Sequence, residues 1–141
     1  MATTTAGKYY SKLGVRRIIN ASGNRTVYGG SNPPSYVREA MDDAATGYVQ
    51  IEQLLQRSGD YIADLLGVEA AYPTPGCFAA MSLSAAACIT RGDPEKLALL
   101  PHTEGMKNEI VMQKKQQYGY GRAYSVAGGV MVFAGDENGC T

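Results

Sequence analysis

The residues Thr74-Pro75-Gly76-Cys77-Phe78 stand between a short strand-like run and an Ala-rich run of helical composition. In an open parallel sheet, ligands bind beyond the carboxyl ends of the strands. The first turn of a helix that follows such a strand offers unpaired N–H groups and a partial positive charge. Glycine at 76 and a small residue at 77 would let a phosphate approach the backbone, and Thr74 could add a hydroxyl. The same residues also suit plain close packing of a strand against a helix. The sequence leaves both readings of this turn open.

Two further stretches carry chemistry-bearing side chains. Asn20, Ser22, Asn24, Arg25, Thr26 and Ser31 crowd around Gly23, Gly29 and Gly30. A donor-rich segment without regular periodicity either lines a ligand site or forms an ordinary surface loop. Gln116, Tyr118 and Tyr120 follow the strand-like run 108–113, at the end where a ligand would lie, and a tyrosine ring can stack on an aromatic ligand. Gly119 and Gly121 do not complete a GxGxxG pattern, because residue 124 is Tyr, so a dinucleotide fingerprint is unsupported. Lys107 precedes that strand and reads as a surface charge. His102 is the only histidine, and it cannot build a Ser-His-Asp arrangement without a nucleophile elbow.

The elements that must position these residues follow from periodicity. Residues 1–12 read as a loosely docked start, and residues 16–35 as an extended, turn-rich segment. A helix is predicted over 33–48 with Ser35 as its cap. A second covers 49–68, with apolar residues at helical spacing, Gly67 past its end, and Gly59 as a possible break. Residues 68–72 read as a strand, 77–90 as a helix, 94–101 as a short helical turn or loop, 108–113 as a strand, 121–129 as a short helix and 130–135 as a strand. That alternation predicts a parallel α/β sheet built of βαβ units.

Composition narrows the class. Thirteen basic residues balance thirteen acidic ones, so there is no bulk attraction for nucleic acid or a membrane surface. The three cysteines are widely spaced without a CxxC pair. They support neither a disulfide framework nor a zinc site, and a reducing, cytoplasmic setting is expected. The N-terminal residues lack the apolar centre of a secretory signal. The run ending at Thr141 reads as the approach to another element, so the chain is expected to be the N-terminal piece of something longer.

Taken together, the stretches 13–31, 72–89 and 105–141 resemble the selenocysteine synthase-like group of pyridoxal-phosphate enzymes, in the branch of the D-glucosaminate-6-phosphate ammonia-lyase type. The resemblance runs from about Leu13 to Thr141. It implies an α/β fold, the N-terminal part of an aspartate-aminotransferase-like (fold type I) large domain. Residues 1–35 would be an extended segment and 36–141 a partial cofactor-binding domain. It implies pyridoxal 5′-phosphate as cofactor, bound by Thr74, Gly76 and Cys77 at its phosphate and by Gln116 at its ring. It places Asn20, Ser22, Arg25, Gly30 and Ser31 over the substrate. The implied reaction is Cα-proton abstraction from an amino acid or amino sugar acid, with β-elimination or replacement, by a lyase or transferase. No residue of this sequence matches the Schiff-base lysine or the acid that pairs with the pyridine nitrogen. A homo-oligomer or a complementary chain is therefore implied, and the alternative is a non-catalytic binding or scaffolding module. The sequence departs from the pattern at Pro75, Cys77 and Phe78, where relatives carry Ser and small Ala residues, at Gln116, where they carry His, and at Tyr120-Gly121, where they carry Tyr-Asp.

Overall fold

The computed structural model describes residues 7–140. The chain divides into two units, Met1–Val49 and Gln50–Thr141. The expected loosely docked start falls partly on residues 1–6, which lie outside the described residues. From Lys8 to Lys12 the chain forms a helix instead, α1.

In the first unit a 3-10 turn, Thr26–Tyr28, sits inside a tight hairpin closed by an antiparallel bridge between Arg25 and Gly30. The hairpin can close because Gly29 and Gly30 adopt φ of 89° and 81°, a region that L side chains avoid. Helix α2 spans Ser35–Ala44. Ser35 does not cap it. Pro34, extended at φ −65° and ψ 166°, occupies the cap position, and no side chain bonds the first turn. Proline has a fixed φ suited to a helix entrance, and the Pro33-Pro34 pair moves the start one residue earlier than the hydroxyl suggested. None of this unit's residues with described side chains is buried.

The second unit opens with α3, Ile51–Leu66. Gly67 ends it in the left-handed region, and the Val68 N–H donates to the Ala63 carbonyl at 3.1 Å. Gly59 does not break the helix. It is buried in mid-helix, and a Cβ there would collide with the carbonyl oxygen of Ala71. A glycine costs helix propensity, and here it admits the backbone of the following segment.

Residues 68–72 correct the predicted strand. They pair with no other strand. β propensity describes a fit to a pleated neighbour, and among the described residues no neighbour is present. Helix α4, Cys77–Thr90, follows as predicted and turns out through Arg91, at φ 52°. Helix α5, Pro94–Leu99, is capped by Asp93, whose carboxylate accepts from the N–H groups of Glu95 and Lys96 at 3.0 and 3.4 Å.

Strands β1, Glu109–Gln113, and β2, Val130–Ala134, pair in parallel with Glu109 opposite Val130 and Gln113 opposite Ala134. Helix α6, Arg122–Val126, lies in the crossover. The parallel βαβ expectation is thus met by two strands.

The buried apolar side chains are small: Ala63, Ala85, Ala123 and Ala127, with Ile89. Alanine lets α4 and α6 pack backbone to backbone. At the base of the sheet the Thr103 hydroxyl donates to the Gly128 carbonyl at 2.8 Å and accepts from the Asn108 amide at 2.8 Å. Gly128 has φ +88°, and a Cβ on it would lie 2.5 Å from Thr103 Cγ2. The close contact and the backbone angle both demand glycine. No helix among the described residues is long and apolar enough to cross a membrane.

Candidate functional site

The strongest site begins where α4 begins. Gly76 is its N-cap, with φ 148° and ψ 169°, a conformation open essentially to glycine alone. No side chain caps the helix, and its first turn holds no acid. The Ala80 N–H donates to the Gly76 carbonyl at 3.1 Å. The amides of Cys77, Phe78 and Ala79 are left as the open donors of the first turn. Gly76, Cys77 and Phe78 are exposed, so an anion can reach those donors from solvent. Fourteen residues of helix bring a partial positive charge to the same point.

Thr74 is half-buried, and its hydroxyl donates to the Gly76 carbonyl at 3.1 Å. It shapes the turn from within and keeps its lone pairs for a further donor.

A second piece of the site lies against α4. Beyond β1 the chain forms a 3-10 turn, Lys114–Gln116, then a second, Gly119–Gly121, and enters α6. Gln116 is exposed in the first turn. Two adjacent residues of α4 hold this segment: Tyr118 Oη lies 3.7 Å from Met81 Sδ, and the Ser82 hydroxyl donates to the Ala123 carbonyl at 2.8 Å. Tyr118 and Tyr120 stand ring to ring at 6.1 Å, tilted by 55°. The loop after β2 lies alongside, where Lys115 Nζ donates to the Asn138 carbonyl at 3.4 Å. The phosphate-turn candidates and the Gln116 segment therefore share one scaffold, the first two turns of α4.

The first-unit candidates are arranged locally. Asn20 Oδ1 accepts from the Ser22 N–H at 2.9 Å, and its amide donates to the Gly23 carbonyl at 2.7 Å. That side chain closes its own turn. Ser22, Arg25 and Ser31 are exposed, and Gly30 is half-buried. Arg25 and Gly30 meet as the bridge pair of the hairpin.

Sequence reasoning missed Ser82, Thr103 and Asn108. Ser82 bonds a residue 41 positions away and Thr103 one 25 positions away. For Ser82 the available hint was a hydroxyl inside an otherwise Ala-rich helix. The described residues hold no cluster of three metal-ligating side chains. Cys77, Cys88 and Cys140 are exposed free thiols.

No family model matches the sequence. The chain is 35% identical over 133 residues to the D-glucosaminate-6-phosphate ammonia lyase of Salmonella typhimurium, covering 92% of itself and 36% of that protein. It is 39% identical over 114 residues to the 5′-C-glycyluridine monooxygenase-decarboxylase of a Streptomyces species, covering 81% of itself and 29% of the relative. A solved structure of D-glucosaminate-6-phosphate ammonia-lyase superposes with a TM-score of 0.86 at 33% identity, over 94% of this chain and 37% of that one. The resemblance read from the motifs is borne out, and the chain spans about a third of the length of the relatives it matches.

Proposed function

From the likeness to the ammonia lyase over 92% of the chain, we propose that this polypeptide forms the phosphate-gripping part of a fold-type-I pyridoxal-phosphate enzyme. The observation that carries the reading is the uncapped entrance of α4: uncapped amides at Cys77, Phe78 and Ala79, the first two on exposed residues, behind a glycine at φ 148°. The residues fit the group. A Cβ at Gly76 would force the turn out of its glycine-only conformation, and no acid stands in the first turn to repel a phosphate. The amides would hold the phosphate. The Thr74 hydroxyl would keep the turn in shape, and Gln116 would meet the ring.

Pyridoxal phosphate, when bound, supplies an electron sink for the carbanion left by Cα-proton removal from an amino acid or amino sugar acid. This chain's share is to fix the cofactor's phosphate and the plane of its ring. Asn20, Ser22, Arg25, Gly30 and Ser31 are proposed to face the substrate. The lysine and the acid that the chemistry needs come from polypeptide beyond the matched third, within one longer chain or on a complementary one. A homo-oligomeric, cytoplasmic enzyme is the setting proposed. The two relatives carry different activities in their names, a lyase and a monooxygenase-decarboxylase. The shared element is therefore taken to be the cofactor grip, and the β-elimination or replacement step follows the ammonia lyase.

Titration of the chain with pyridoxal 5′-phosphate, pyridoxal and inorganic phosphate tests the reading. Saturable binding that needs the phosphate, and is weakened at least ten-fold by Gly76→Ala, is expected. Equal affinity for pyridoxal and its phosphate ester overturns it. The second reading, a binding module without catalysis, is favoured by Gln116 standing where the resemblance implies a histidine. It predicts that the chain, supplied with the remaining two thirds of the ammonia lyase, binds the cofactor but turns over no substrate.

A further inference from the structure

Ser82 lies one turn inside α4, behind the open amides, and its hydroxyl is shared between two carbonyls. One is Phe78 in its own helix, at 3.1 Å; the other is Ala123 in α6, at 2.8 Å. Ala123 is fully buried, so its end of the bond is held rigidly. Met81, the preceding residue, receives the Tyr118 hydroxyl. Between these two fixed points run Tyr118 to Ala123, and Gln116 stands two residues before the first. The segment carrying Gln116 is thus fastened to the helix whose entrance offers the phosphate donors, and to the two residues just behind that entrance.

We infer that Ser82 is a positioning residue. It sets the distance between the phosphate donors at the start of α4 and the ring contact at Gln116, so that one rigid ligand can engage both. The inference rests on the proposed phosphate reading of the turn and adds to it the residue that aligns the second contact. An unbranched hydroxyl suits the role, because it is short enough to bring α4 and α6 within backbone contact and still bonds across the gap. Alanine would keep the packing and lose the bond.

The test compares two ligands on the full chain: pyridoxal 5′-phosphate, which spans both contacts, and inorganic phosphate, which needs only the helix entrance. In Ser82→Ala the dissociation constant for pyridoxal 5′-phosphate should rise about five-fold, the scale of one net hydrogen bond. That for inorganic phosphate should stay within about two-fold. Equal weakening of both ligands, or no change in their ratio, overturns the inference. If Ser82→Ala fails to fold, Tyr118→Phe cuts the neighbouring tie and should give the same split; an unchanged ratio there counts against the inference equally. A wild-type chain that binds phosphate without any gain from the ring would sink the positioning role and leave the phosphate turn standing. Binding of neither ligand would sink both.

Discussion

Gly59→Ala separates two opposed effects whose sign the fold decides. Helix propensity alone favours the substitution by about 0.5–1 kcal/mol, because alanine loses less backbone entropy. The neighbouring backbone opposes it. The new Cβ would fall inside the van der Waals reach of the Ala71 carbonyl oxygen, with the Pro73 ring at 4.0 Å beyond. The obstacle is main chain, which cannot swing aside as a side-chain tip can, and such overpacking costs about 1–3 kcal/mol. The expected net result is a destabilisation of about 1–2 kcal/mol. Urea unfolding followed by circular dichroism measures it, with the slope checked for constancy so that the midpoint reports stability. The segment displaced, residues 71–73, leads straight into Thr74. On the proposed reading of the turn, a loss of phosphate affinity should accompany the loss of stability. A variant as stable as the parent, or more so, would refute the claim that Gly59 exists to admit Ala71.

Gly128→Ala meets Thr103 and Pro101 and a φ of +88° together; it should cost more than Gly59→Ala in the same urea assay. Thr103→Val keeps the shape of the side chain, removes the donor to Gly128 and leaves the Asn108 amide one acceptor short. A loss of about 1–3 kcal/mol is expected, and hydrogen exchange at Val130 should speed up. The Lys96 N–H, reinforced by that of Glu95, holds the Asp93 carboxyl below its ordinary 3.8. A depressed carboxyl contributes stability that is complete above its unfolded value and fades as pH falls through the lower folded one. Melting temperature of the parent relative to Asp93→Asn should thus shrink below about pH 4, and a difference that grows on acidification would contradict the cap.

The longer helices were legible because each carries its own signal, whereas α1 at Lys8–Lys12 was read as a loose start. Ile51–Leu66 has apolar residues at helical spacing and a glycine past its end. Cys77–Thr90 has an alanine-rich body and a Pro-Gly entrance. The two paired strands were legible as apolar runs at the right distance for a crossover. Much of what escaped depends on a distant partner, and some on a neighbour's geometry. Residues 68–72 carry strand propensity and find no strand beside them. Gly59 read as a weakness until Ala71 was seen against it. Ser35 looked like a cap, but Pro34 holds that position. At the site, the turn itself was visible in Thr74-Pro75-Gly76-Cys77. That its amides stay uncapped was not visible, because a missing cap depends on where the neighbouring side chains turn. Asn20 read as one of a donor-rich group, and its side chain bonds within its own turn.

The parallel register also has a consequence for how the chain reaches its native state. Every β1 residue pairs with one 21 positions later, and the entropy of closing such a loop grows only logarithmically with its length. Once the strands meet, Thr103 and Gly128 are a few residues apart along the shortened path, and their bond closes at little extra cost. The Ser82–Ala123 tie spans 41 positions and benefits only after both. It should be the last of the three to form. The two ligand contacts proposed above are then brought into line only after the sheet has paired.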